Sequence, residues 1–428
     1  MRSERGEERG DGRTAEVTYR YIYPERLHAA DGGDGDPALD IGGGYFAAAN
    51  SHRGFLSFFD ELITRRADRH MILKGGPGTG KSYFIRRAAK RAAALGGVVE
   101  CYYCSSDPES LDGMLAFMPS GEVLGIRDGT APHAAEATLP GVRDEIFDLG
   151  AFWNAAALRG EAQRIDALGA AKSRAWERAF HCLAAAGRIA AALRGRLCAA
   201  VDGEKLDRAA ARAAGDAERR ALERDGGSAW LGCASGSSPS GSPRVLHSPH
   251  RCCGMRGFAS LAGIYDGARE VFLTSDEPLP GMGELFITAM AERLEHSARA
   301  GREIECRISP DPICPELAVA VRCGRSVYTC ERTLPPTIPA DVARHRIGLR
   351  RFLRQSAGGD AFSSAADRLE LCRLDELYRR AAVAAVREAG AAADCHFALE
   401  AIYSAAMDIP SLDAAEEKRI EEFFGKLL

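Results

Sequence analysis

Leu73-Lys74-Gly75-Gly76-Pro77-Gly78-Thr79-Gly80-Lys81-Ser82 is the stretch on which the reading of this chain turns. Its last eight residues fit G-x-x-x-x-G-K-[ST], a pattern that cradles phosphate. Met71-Ile72-Leu73 reads as a buried strand, and residues 83–95 carry apolar residues at helical spacing. Strand, glycine loop and helix come in the order the chemistry needs. Gly75, Gly76, Gly78 and Gly80 let the backbone wrap an anion and turn its N–H groups inward. Pro77 and Thr79 complete the loop, and the helix N-terminus adds partial positive charge. Lys81 is expected to reach the β- and γ-phosphates of a nucleotide, and Ser82 to give a hydroxyl to Mg²⁺.

Such a site also takes a carboxylate from the end of a neighbouring strand. Asp128 closes the nearly apolar run Val123-Leu124-Gly125-Ile126-Arg127-Asp128, and Asp107 follows the strand expected at 98–104. Asp128 has the better pattern; Asp107 precedes Pro108, an ordinary turn signal. The expected metal ligands are therefore Ser82, Asp128 and Asp107, with Lys81 and Asp128 as the catalytic pair. His133, Glu109, Asp112 and Glu122 are candidates for polarising or orienting water. Arg127 and Arg143 are candidate charge-stabilising arginines. Nothing in the spacing selects among them.

With 428 residues and 46% hydrophobic content, the chain can bury large cores and suggests two or three domains. Its 56 basic and 60 acidic residues give a net charge of −4, which does not indicate nucleic acid as a partner. No run approaches the ~18 apolar residues of a membrane span. The charged, glycine-rich start lacks the apolar core of a secretory signal. These features read as a cytoplasmic protein with its 13 cysteines reduced. Cys101 and Cys104 form C-x-x-C, but no second pair completes a zinc site, so they read as small residues of a buried strand.

Residues 1–40 read as a disordered tail with a short strand near 17–22. Residues 41–222 read as an α/β domain with a helical arm. Within it, residues 53–63 suggest an amphipathic helix, 110–113 a turn, and 149–222 two long helices in a hairpin. The Ser/Gly/Pro-rich stretch 223–255 reads as a flexible linker, and 256–428 as a second domain. Self-comparison supports that division. Arg53-Gly54-Phe55 recurs as Arg256-Gly257-Phe258, Met71-Ile72-Leu73 as Val271-Phe272-Leu273, and Val99-Glu100-Cys101 as Ile304-Glu305-Cys306. Asp107-Pro108 recurs as Asp311-Pro312, Thr130-Ala131-Pro132 as Thr333-Leu334-Pro335, and Cys198-Ala199-Ala200-Val201-Asp202 as Ser404-Ala405-Ala406-Met407-Asp408. The same comparison sets Glu331 against Asp128 and Pro336 against His133. The second copy lacks the lysine of the loop. Asp276, Glu277 and Glu284 bring negative charge to that region instead, which opposes anion binding.

The pattern resembles a family of bacterial tandem P-loop proteins, known as uncharacterised ATPases or nucleotide-kinase-like proteins. The marks of the resemblance are residues 73–82 together with Cys104-Ser105-Ser106-Asp107-Pro108, Ser110-Leu111-Asp112-Gly113, Asp128-Gly129-Thr130-Ala131-Pro132-His133 and Ala405-Ala406-Met407-Asp408. It covers nearly all the chain beyond residue 40. It implies an α/β fold of two tandem P-loop NTPase-like domains, mostly parallel sheets flanked by helices, each with a helical hairpin arm. It further implies ATP and Mg²⁺ as cofactors and ATP hydrolysis as the activity. Typical members keep both loops; this chain keeps one. Hydrolysis is then expected to move the arm or a linker-tethered second copy. The helical arms suggest self-association or a protein partner. A nucleotide or small-molecule kinase and a non-catalytic nucleotide-dependent interaction protein are the alternative readings.

Overall fold

The computed structural model describes residues 17, 20–22, 44–225, 245–300, 304–331, 334–356, 359–360 and 365–425. The first strand is β1 (Arg20–Ile22), within the 17–22 region where the sequence suggested one. The first half then runs β2 (Gly44–Phe46), β3 (Ala48–Ser51), β4 (Gly54–Ser57), β5 (Arg69–Lys74), α1 (Lys81–Ala94), β6 (Val98–Tyr103), β7 (Leu111–Phe117), β8 (Val123–Asp128) and β9 (Asp144–Asp148). A short helix α2 (Ala155–Gly160) leads into the long helices α3 (Ala162–Ala200) and α4 (Gly203–Asp225). The second half repeats the plan: β10 (Val245–His247), β11 (Arg251–Gly254), β12 (Gly257–Leu261), β13 (Glu270–Ser275), α5 (Met282–Arg299), β14 (Cys306–Pro310), β15 (Ala318–Cys323), β16 (Ser326–Thr329) and β17 (Ala343–Gly348). Helices α6 (Ala365–Ala405) and α7 (Ile409–Gly425) close it.

Each half holds a mixed six-stranded sheet, and the two orders match: β2-β6-β7-β8-β5-β9 and β10-β14-β15-β16-β13-β17. In each sheet three of the five pairings are parallel, and the antiparallel strand is β7 or β15. The fold is therefore α/β, with two like sheets flanked by helices. No helix among the described residues is long and apolar enough to cross a membrane.

Several local expectations change. Residues 53–63 form β4 and one π turn (Asp60–Thr64) rather than an amphipathic helix. Gly54, at φ 95°, reverses the chain into the β3–β4 hairpin, a conformation glycine adopts without a Cβ penalty. Gly257, at φ 106°, repeats this between β11 and β12. Residues 111–113 start β7 instead of making a turn. Gly113 is small because Ile63 packs against it: a Cβ there would stand 2.5 Å from Ile63 Cδ1. The expected linker of 223–255 is shorter than its composition suggested, since 245–247 and 251–254 are strands; its Ser/Gly/Pro core lies outside the described residues, as does most of 1–40.

Strand register also refines the repeat. Gly80 and Gly281 both start their helices at φ 86° and 87°, and Lys74 and Ser275 end their strand pairings alike, so the offset here is 201 residues, not 200. Met71 thus matches Phe272. The bulge at Tyr102/Tyr103 matches that at Ser309/Pro310, which aligns Cys104 with Asp311, Asp112 with Val319 and Glu100 with Arg307. Arg127 pairs with Gly113 as Thr329 pairs with Ala320. Asp128 therefore corresponds to Cys330, and Glu331 stands one residue beyond.

The helical arms do not fold back on themselves as hairpins. Helix α3 lies antiparallel against α6, with Arg178 Nε 2.7 Å from Glu388 Oε2 and Arg196 Nη2 2.8 Å from Glu370 Oε1. Helix α4 crosses to the second half, where Leu206, Ala210 and Ala217 share a core with Met282, Phe286 and Met290 of α5. In return, Leu412, Ile420, Phe423 and Phe424 of α7 join Phe84, Ile85 and Ala88 of α1. Helical periodicity specifies an apolar face but not which neighbour covers it. The backbone records the exchange twice: Asn154 N donates to Ala406 O at 2.7 Å, and Arg354 N to Ala200 O at 2.9 Å.

Nor is the second half merely tethered. Tyr45, Phe59, Ile63 and Leu115 share one buried core with Leu246, Ile264, Val271 and Val327. Within it, Glu100 takes Arg66 at 2.8 Å and Arg307 of the other half at 2.6 Å, with all three side chains almost wholly buried. Hinged motion of a loosely attached second copy is therefore not the arrangement seen.

Candidate functional site

The 75–82 loop runs from the C-terminal end of β5 into α1. Gly75, Gly78 and Gly80 have φ of 140°, 70° and 86°, the left-handed region that a side chain disfavours. The Thr79 hydroxyl donates to Gly76 O at 2.9 Å, tying the loop across itself. Lys81 is the first residue of α1. Its Nζ donates to Gly75 O (3.0 Å) and Gly76 O (2.7 Å) and lies 3.8 Å from Asp128 Oδ2. Ser82 Oγ accepts from Leu111 N at 2.9 Å. Asp128 ends β8, hydrogen-bonded between strands. Its Oδ1 accepts from Thr130 N (2.7 Å) and Thr130 Oγ1 (2.6 Å), which leaves Oδ2 toward the lysine.

The structure thus brings Lys81, Ser82 and Asp128 to one place. Asp107 is committed elsewhere: its Oδ1 accepts from Arg256 Nε of the second half at 2.6 Å. Arg127 bonds Asp60 at 2.8 Å and lies over the Phe59 ring, and Arg143 bonds Asp144 at 2.7 Å, so both arginines serve packing. Asp112 and His133 do join the site. His133 Nε2 stands 3.3 Å from Asp112 Oδ2, and Cys104 Sγ completes a group whose ligand atoms all lie within 4.8 Å of one another. Burial, then the charge of Asp128, pushes the Asp112 carboxyl well above its usual range. Burial also lowers the His133 imidazole to about 4. Of the C-x-x-C pair, Cys101 is core, while Cys104 faces this group.

The crossed arms bring in residues that no local pattern marked. Ser404 Oγ of α6 donates to Gly78 O at 2.9 Å, and a Cβ on Gly78 would stand 2.5 Å from the Glu400 carbonyl oxygen. Trp153 covers Gly76 and packs on Tyr403 with ring centroids 5.1 Å apart. Burial pushes the Glu400 carboxyl up, but His396, Lys81 and Lys172 outweigh it and hold the group below its usual range. Lys172 of α3 is half-buried, its Nζ 3.3 Å from His396 Nδ1. The loop of one half is thus roofed by the arm of the other.

The corresponding loop of the second half keeps the glycine that starts the helix, at φ 87°, and changes the chemistry around it. Met282 takes the place of Lys81, Gly283 that of Ser82, and Glu284 that of Tyr83. Glu277 Oε1 accepts from Gly283 N at 3.1 Å, so a carboxylate of the chain itself sits at the helix N-terminus. Burial, then Glu277, raises the Glu284 carboxyl to about 7. Leu193, Leu197 and Tyr378 line a cavity here with Gly281, Glu284 and Asp311. Glu331, set against Asp128 in the sequence, is buried instead under Arg251 (2.6 Å), His250 (3.1 Å) and the Tyr265 hydroxyl, which hold it well below its usual range against the cost of burial. No protein-family model, curated protein or solved structure matches the chain.

Proposed function

We propose that the chain is a P-loop nucleoside triphosphatase that binds ATP with Mg²⁺ at residues 75–82 and works with this one site. The observation that carries the reading is the convergence of Lys81, Ser82 and Asp128 on a loop of positive-φ glycines at a helix N-terminus. Lys81 now satisfies its ammonium with two carbonyls of the loop. A β/γ-phosphate offers it stronger, charge-assisted partners. Backbone N–H groups of the loop and the N-terminus of α1 stabilise the same anion. Ser82 and Asp128 supply oxygen ligands of the type Mg²⁺ takes, and the ion would neutralise phosphate charge.

The roof from α6 ties this reading to conformational work. Phosphate at the loop takes backbone N–H groups of the peptides whose Gly78 carbonyl Ser404 holds, and it acts on the charge of Glu400. Nucleotide state is then felt along α6 and, through the α3–α6 pair, in both halves.

The test is phosphate release from ATP and Mg²⁺ by the full chain, with Lys81→Ala as control. Release without an added acceptor supports the triphosphatase. Turnover only with an acceptor mixture supports a kinase. Tight binding with no turnover of either kind supports a nucleotide-dependent interaction protein and overturns the enzyme reading. Affinities for ATP, GTP and deoxynucleotides settle the base, which the loop does not specify.

A further inference from the structure

We propose that Cys104, Asp112 and His133 form a binding site for a zinc-class divalent transition metal, distinct from the Mg²⁺ expected with nucleotide. Three separate segments supply the donors: the turn after β6, the bulge that opens β7 and the loop after β8. The donor set decides the metal class. Thiolate, imidazole and carboxylate suit Zn²⁺ or Co²⁺, whereas Mg²⁺ takes oxygen ligands.

The spacing agrees. Two ligands at about 2.0–2.1 Å from a tetrahedral ion stand about 3.3 Å apart, and His133 Nε2 lies 3.3 Å from Asp112 Oδ2. That contact lacks hydrogen-bond geometry. Asp112 Oδ2 is a buried atom with no hydrogen-bond partner, on a residue only 5% exposed. A polar oxygen buried without a partner is costly, and a metal ion would coordinate this one. The rings of Phe55 and Phe59, with centroids 5.3 and 5.2 Å from that of the imidazole, fix its plane.

The second half is an internal control. Its equivalents of Cys104 and Asp112 are Asp311 and Val319, and the repeat sets Pro336 against His133. The position of Asp112 therefore tolerates an apolar residue in the same fold, so packing alone does not call for a buried carboxylate there. The full donor set occurs in the half that keeps Lys81. Three protein ligands leave a fourth position open, the arrangement of zinc sites that hold water or substrate. The site adjoins the glycine loop: Leu111 N, next to Asp112, donates to Ser82 Oγ at 2.9 Å.

The test titrates the chelator-treated full chain with CoCl₂ and ZnCl₂, without nucleotide. One Co²⁺ per chain is expected, with a sulfur-to-metal charge-transfer band that Cys104→Ser abolishes and Cys306→Ser leaves. Asp112→Val, which copies the second half, should keep the fold by circular dichroism and weaken Zn²⁺ binding by more than about 100-fold, beyond the effect of losing an outer-shell partner. Lys81→Ala should bind the metal still, which separates this site from the nucleotide reading. Absence of stoichiometric binding, a band that survives Cys104→Ser, or Asp112→Val affinity within about tenfold of the parent chain overturns the proposal.

Discussion

The two loops share the glycine that starts their helices and differ in the side chains around it. Gly80 and Gly281 start their helices at φ 86° and 87°, each after the strand next to the edge of a sheet with the same order. Yet Lys81 faces Met282, Ser82 faces Gly283, and the second loop places Glu277 on its own helix N-terminus. The fold therefore does not need the lysine, the serine hydroxyl or the aspartate of the first loop. Packing of α1 or α5 on the sheet preserves the turn. The cation, hydroxyl and carboxylate are separate additions, kept together in one half.

The same lesson appears between the halves. Glu100 and Arg307 occupy equivalent positions on β6 and β14, and they meet at 2.6 Å. Identical halves would put like charges there. Opposite charges make the interface specific for two unlike copies.

The largest expected effect is on ligand binding. Lys81→Ala should weaken ATP binding by at least about tenfold, since a hydrogen bond to a charged group contributes about 1.5–3 kcal/mol. Met282→Ala should leave binding unchanged, by isothermal titration. Glu284→Lys should restore no second site, because Glu284 corresponds to Tyr83 and Glu277 still holds the helix end.

Next is the interface. Glu100→Ala leaves Arg66 and Arg307 buried without their shared carboxylate and should cost about 3–5 kcal/mol in urea unfolding. A loss below about 1 kcal/mol, the worth of a surface pair, would contradict the shared core.

A smaller effect is pH-dependent. Glu284 has its carboxyl raised from 4.5 to about 7 in the fold. Between those values the folded chain holds a proton that the unfolded chain has lost. The stability this group contributes is therefore full below 4.5 and falls as pH rises toward 7. Glu284→Gln should flatten that part of the stability profile; Tyr83→Phe, at the matching place in the first half, should leave it unaltered. The smallest change expected is Ser404→Ala, which removes one roof hydrogen bond. It should cost about 0.5–1.5 kcal/mol of stability without weakening ATP.

Much of the fold was legible because its signals are local. The strand–glycine loop–helix unit needs only consecutive residues, and the repeat shows in six ordered matches. The register was not legible at single-residue precision. Val271-Phe272-Leu273 is apolar throughout and matches Met71-Ile72-Leu73 equally well when slid by one; only the paired glycines fix the offset. The turn between β15 and β16 is shorter than that between β7 and β8, which shifts the offset again, so Glu331 was set against Asp128 where Cys330 belongs. The crossing of the arms left no trace in helical periodicity, and with it Glu400, Ser404 and Lys172 were missed at the candidate site. Cys104 was hidden for a different reason. Its companions Asp112 and His133 come from other strands and loops, with no metal-ligand spacing between them, and the C-x-x-C drew attention to Cys101 instead.

The central claim is one nucleotide per chain, held by the first loop. Equilibrium binding of ATP with Mg²⁺ to the full chain tests it directly. One ATP per chain is expected, bound at least about tenfold more weakly by Lys81→Ala and unchanged in Met282→Ala. Two per chain, or binding that Lys81→Ala leaves undiminished, would contradict it.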